Sequence, residues 1–184
     1  MQIQKHDEFS VILHLDEQAS RDLERVRQLM PASPYRDDPP HVTLLQGIHP
    51  SVTMSDEEIL RAITPALNRL IKPEAHVRVS YLSNLTGGPY KITSAIVMAM
   101  SSVLGREHIS LLAHLRGGGF GLSSNAMFYY PHASVRLGVP FDARSLELAS
   151  ELFPKGRGIE LVSWEVLRLT STSKRRPFHE LVTK

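Results

Sequence analysis

No cysteine occurs among the 184 residues, which excludes disulfides, thiolate nucleophiles and every cysteine-ligated zinc or iron–sulfur site. There is no His-Glu-x-x-His, and the histidines do not gather at ligand spacing, so no metal is expected. No Gly-x-Ser-x-Gly elbow marks a serine hydrolase. The glycine-rich "GGGFG" of residues 117–121 lacks the Gly-Lys-Ser/Thr and the following helix start of a phosphate cradle, and a flexible connection after a helix is expected there instead. Long hydrophobic runs are missing too. Nothing approaches the roughly 20 apolar residues of a membrane span, and the opening "MQIQKHDEFS" has no apolar stretch of a signal-peptide kind. A cytosolic chain with no membrane partner and no cofactor is expected.

What is present is ordinary in bulk. A hydrophobic fraction of 42% and a charged fraction of 22% fit a water-soluble protein. The length suffices for one domain, or for two small lobes sharing an interface, with a real core. Net charge is only +2, but the nine histidines and a sequence pI near 9.0 tilt the balance weakly towards anionic partners such as nucleotides or phosphate.

Periodicity gives the order of elements. Phe9 to Leu15 alternate as a strand, and residues 16–30 follow as an amphipathic helix with Leu23, Val26 and Met30 at helical spacing. A proline-rich loop then delivers "HVTLLQG" as a second strand. Ser55 and Glu58 form a capping-box signature for a helix that carries Ile59, Ile63, Leu67 and Leu70 on one face, with Pro65 expected to kink or divide it. His76 to Leu82 read as a third strand. After a "TGG" break the order returns: strand 91–100, helix 103–115, strand 132–138, helix 142–153 and strand 164–172. Each half reads β-α-β-α-β, over about 8–86 and 90–173, and the whole chain is taken as a single two-lobed unit whose paired strands face each other.

Four of the nine histidines are followed two residues later by a hydroxyl: His41/Thr43, His49/Ser51, His108/Ser110 and His132/Ser134. Strand geometry separates them, because residues i and i+2 share a face of a strand but not of a helix. His108 falls in a helical pattern and His49 in a turn-like "GIHPS". The 41/43 and 132/134 pairs each open a strand after a proline, at equivalent places in the two halves and 132 − 41 = 91 positions apart. Either alone reads as a half-buried histidine satisfied by its neighbours; the matched pair in matching context favours function.

These segments, "PHVTL" at 40–44 and "PHASV" at 131–135, resemble the paired His-x-Thr/Ser motifs of the two-histidine (2H) phosphoesterases, which include 2′-5′ RNA ligase-like proteins and cyclic nucleotide phosphodiesterases. Ala133 and Ser134 depart from the commoner aliphatic residue and threonine, though serine keeps the hydroxyl. The resemblance implies an α+β fold, bilobal, with two pseudo-symmetric β-α-β-α-β halves, mainly antiparallel sheets and a central cleft. It implies His41 and His132 as catalytic acid–base pair, with Thr43 and Ser134 binding phosphate. The expected activity is hydrolysis of 2′,3′-cyclic phosphates of nucleotides or RNA ends to 2′-phosphates. The partner is then a nucleotide or RNA with a cyclic phosphate or a 2′-5′ linkage, met by a monomer. A non-catalytic nucleotide- or RNA-binding module, and 2′-5′ cleavage or ligation in the same cleft, are the alternatives.

Arg136, four residues beyond His132, shares its face if alternation holds and is a candidate third phosphate contact. Tyr35 and Tyr129 are candidates for stacking on a base, with packing as the commoner role. The basic "SKRRPFHE" at 173–180 reads as a solvated tail, with an RNA track as the other reading.

Overall fold

The structure is a computed structural model that describes residues 8–35, 38–50, 54–68, 76–87, 90–99, 102–127, 129–169 and 178–183. In chain order the elements are β1 (Glu8–Leu15), α1 (Glu17–Leu29), β2 (His41–His49), α2 (Asp56–Leu67), β3 (His76–Thr86), β4 (Ile92–Met98), α3 (Ser102–Gly117), β5 (Gly121–Leu122), a 3-10 turn (Ser124–Met127), β6 (His132–Leu137), α4 (Ala143–Leu152), β7 (Gly158–Leu169) and β8 (Phe178–Thr183). The fold is α+β, and every strand pair is antiparallel.

The helices start where local chemistry dictates. Asp16 caps α1 by accepting from Ala19 N at 2.8 Å. Ser55 and Glu58 form the expected reciprocal box at α2: Ser55 N donates to Glu58 Oε2 at 2.7 Å and Glu58 N to Ser55 Oγ at 3.3 Å. Asp142 and Ser145 repeat the device at α4. Pro65 does not divide α2: it stands in the last turn, where the bond to the Arg61 carbonyl is lost, and the helix ends two residues later. Leu70 lies outside the described residues, as do 170–172 of the last expected strand.

"GGGFG" is more ordered than a flexible connection. Gly119, at φ +83°, closes α3 with Phe120 N donating to the Leu115 carbonyl at 3.1 Å and Gly119 N to that of Arg116 at 3.3 Å. Phe120 then buries itself, and Gly121–Leu122 pair with β2 as β5. The basic tail also departs from expectation. Residues 173–177 lie outside the described set, but Phe178 to Thr183 form β8 along β7.

The strands run β1-β2-β6-β4-β3-β7-β8, and β1 also pairs with β7, so six of them close on themselves. Two seams are short: β2 meets β6 at Val42 and Ala133, and β3 meets β7 over His76–Arg78. The helices cross between the halves of the sequence. α1 packs on β6 and α4, while α3 packs on β2 and α2. Each Pro-His strand is thus backed by a helix from the other half, through a core that includes Leu23, Leu44, Ile48, Ile63, Leu111 and Phe153.

Gly47 fixes the far end of β2. It has φ +76°, and a Cβ there would collide with the side chain of Ser123. Gly47→Ala is expected to cost about 1–3 kcal/mol from the left-handed backbone and the clash together. A urea midpoint equal to that of the parent protein would refute this constraint.

Candidate active site

Val42 stands opposite Ala133 where β2 meets β6. One step to either side, an antiparallel ladder sets His41 beside Ser134 and Thr43 beside His132. Val42, Leu44, Ala133 and Val135 are buried, whereas these four are half-buried, so imidazoles and hydroxyls occupy the opposite, open face. They form a square with the histidines on one diagonal, whose backbone positions cross-strand geometry sets about 7–8 Å apart, and the hydroxyls on the other. Each ring therefore neighbours the hydroxyl of the other motif across the seam.

Both rings are held in the same way. His41 Nδ1 lies 2.7 Å from the Pro39 carbonyl and His132 Nδ1 lies 2.8 Å from the Tyr130 carbonyl, each two residues upstream. A carbonyl only accepts, so Nδ1 carries the hydrogen in both and Nε2 is left for chemistry. The residues before the motifs thus set the tautomer. Among the described residues, neither Thr43 nor Ser134 spends its hydroxyl on a hydrogen bond.

Burial pushes His41 down from 6.5 to about 4, against the opposing pull of the Pro39 carbonyl; the nearby His14, His132 and Arg27 charges lower it further. Burial also lowers His132, again opposed by its carbonyl partner. Near neutral pH both rings are therefore uncharged in the absence of substrate. Unfolded His41 takes a proton near 6.5 and native His41 only near 4, so in that window the unfolded chain binds more protons and acidification erodes stability. Thermal melting of a His41→Gln variant should fall less steeply than that of the parent between those pH values. Equal slopes would remove His41 as the cause.

Rows run across the sheet from this square. On β4, Val97 neighbours His132 and Ala95 neighbours Ser134, with Tyr81 and Ser83 beyond them on β3. On β1, His14 neighbours His41 and Ile12 neighbours Thr43, with Ser163 and Glu165 beyond on β7. Exposed Tyr130 hydrogen-bonds Tyr81 hydroxyl to hydroxyl, and its ring lies 6.3 Å from that of His132.

The other sequence candidates lie elsewhere. A register shift between Ser94 and Ala95 inserts a residue into β6, so Arg136 falls opposite fully buried Ser94 and not on the face of Ser134. Its Nη2 donates to the Arg27 carbonyl of α1 at 2.7 Å. Tyr129 stacks on buried His108, with centroids 4.3 Å apart and planes at 8°. Tyr35 packs edge-on against Tyr90 near Gly138, at the far end of β6. His108 Nδ1 pairs with the Leu44 carbonyl at 2.8 Å, which is a packing role. Ser51 of the His49 pair lies outside the described residues.

Sequence reasoning missed three residues here. Arg27, buried in α1, donates Nε to the Val135 carbonyl at 2.6 Å and Nη2 to that of Ser134 at 3.2 Å. His14 and Glu165 form a pair at 3.0 Å beside His41. A histidine ending an apolar strand carries no local signal; only the paired "FSVILHL" and "WEVL" strands, once in register, reveal it. Among the described residues no group of three His, Cys, Asp or Glu side chains could hold a metal ion, and no helix is long and apolar enough to cross a membrane.

This closed antiparallel sheet, backed by helices and with two His-x-Ser/Thr strands meeting at one seam, is a LigT-like fold. The α+β class and the antiparallel strand pairing implied by the resemblance to the two-histidine phosphoesterases are therefore present. TT0787 of Thermus thermophilus aligns over 95% of both chains at 16% identity and a TM-score of 0.60. Escherichia coli LigT complexed with 3′-AMP aligns over 96% of this chain and 95% of its own, at 13% identity and 0.53. A conserved protein of unknown function, ATU0111 of Agrobacterium tumefaciens, covers 96% and 85% at 16% identity and 0.55. No protein-family model matches the chain, and no curated protein does.

Proposed function

We propose that the protein is a metal-independent phosphodiesterase that opens 2′,3′-cyclic phosphates of nucleotides or RNA ends to 2′-phosphates. The observation that carries this reading is the diagonal square: two imidazoles with Nδ1 occupied and Nε2 available, flanked by two hydroxyls on the same face. One ring takes a proton from water as its oxygen bonds to phosphorus. The other gives a proton to the ribose 3′-oxygen as its bond to phosphorus breaks. Thr43 and Ser134 donate to the non-bridging oxygens and stabilise charge that grows in the transition state. Both rings are neutral before substrate binds, so the acid's proton is taken up with the substrate, whose negative charge favours an imidazolium beside it.

A LigT-like fold supports an enzyme acting on phosphoesters, and the 3′-AMP bound by LigT itself supports a nucleotide ligand. Cleavage or formation of 2′-5′ linkages would use the same groups. The test is incubation with a 2′,3′-cyclic nucleotide in EDTA, with chromatographic identification of the product. A 2′-phosphate is expected; binding without turnover would overturn the enzyme reading in favour of a binding module.

A further inference from the structure

The square is flanked unequally. The β1 neighbour of His41 is His14, whose Nε2 lies 3.0 Å from Glu165 Oε2, with the two side chains only 22% and 12% exposed. The same steps on the other side of the seam lead from His132 to Val97 and from Ser134, through Ala95, to Ser83. An ionisable pair thus stands beside one histidine and an apolar side chain beside the other. A carboxylate only accepts, so the Nε2 of His14 carries hydrogen. With its second nitrogen protonated, His14 places positive charge next to His41 while the compensating carboxylate lies a strand further off.

We propose that the His14–Glu165 pair is a positioning device that makes the two site histidines unequal, keeping His41 unprotonated as the base and leaving the proton to His132 as the acid. This rests on the phosphodiesterase reading for its chemistry and on strand register for its geometry. The charged groups that bear on His41 are His14 from β1, His132 from β6 and Arg27 from α1, all cationic when protonated. Glu165 of β7 reaches it only through His14. His132 has uncharged Val97 and Thr43 as strand neighbours, with the phenols of Tyr130 and Tyr81 alongside. The lowering of His41 by His14, His132 and Arg27, beyond what burial does, agrees with this order. In the reaction His41 Nε2 takes the water proton, the new O–P bond forms, the P–O3′ bond breaks, and His132 protonates O3′. Solvent then returns both rings to their starting states.

Two measurements on the full-length protein test the device. The first follows nitrogen-labelled histidine rings by NMR across pH, in the parent protein and in His14→Gln. His41 should titrate below His132 in the parent. In the variant its midpoint should rise by about one pH unit, with His132 moving far less. A parent in which His132 titrates below His41, or a variant with His41 unmoved, overturns the proposal, and the parent spectra decide even if the variant does not fold. The second compares a 2′,3′-cyclic nucleotide with a 4-nitrophenyl nucleoside phosphodiester, whose leaving group needs no acid. His132→Ala should recover at least ten-fold of its relative loss on the activated ester, and His41→Ala should not. The reverse pattern overturns the assignment. No turnover of either substrate by the parent would sink the proposed function, and the titrations would still decide whether His14 sets the inequality.

Discussion

Alanine at either His41 or His132 should lower kcat/KM for a 2′,3′-cyclic nucleotide roughly a hundred- to ten-thousand-fold, the range of a positioned general acid or base. The double variant should lose far less than the product of the two losses, because base and acid act in one transition state and removing either spoils the other's contribution. Stability should move little and, for His41, in the favourable direction at acid pH. A half-buried ring that burial holds near 4 is a liability to the folded state wherever the unfolded chain would take the proton. Core histidines behave oppositely, since truncation leaves a cavity among packed side chains. Steady-state rates paired with melting curves separate the cases. Unchanged rates together with a melting temperature several degrees lower would assign the two rings to packing alone.

How far the sequence reaches is best seen strand by strand. The Pro-His openings were legible because period-two alternation fixes which residues share a face, and β2 and β6 keep that alternation across the seam. The capping box at Ser55 was legible because it is local. At Arg136 alternation fails: a single inserted residue reverses the face, and nothing in "HASVRLG" announces the shift against Ser94. Tyr129 belongs to His108 through a contact between β6's approach and α3 that no local pattern encodes. His14 and Glu165 meet only because β1 pairs with β7, and β8 exists only because β7 offers it an edge. Long-range closure brings these residues together, and periodicity does not report it.

Arg27 is the other position where a large effect is expected. It is buried in the last turn of α1, and its guanidinium holds the carbonyls of Ser134 and Val135 while Nη1 pairs with Glu24 Oε1 at 2.5 Å. Replacing a buried ion pair with apolar side chains is often neutral, because both charges leave together. Here the acceptors are backbone and cannot leave. Arg27→Met strands two strand carbonyls under a helix, and with charge-assisted bonds worth about 1.5–3 kcal/mol each the loss should be about 3–5 kcal/mol. Lysine should recover less than half of it, since one ammonium cannot fork between two carbonyls as a guanidinium does. The effect should reach the site as well. Those carbonyls flank Ser134, so at a temperature where the variant remains folded the rate on a cyclic phosphate should drop more than the substrate affinity does. Urea unfolding with unchanged m-value and kinetics on the same preparations would check both halves. A methionine variant within about 0.5 kcal/mol of the parent, the scale of an ordinary surface substitution, would mean that α1 is held to β6 by packing alone.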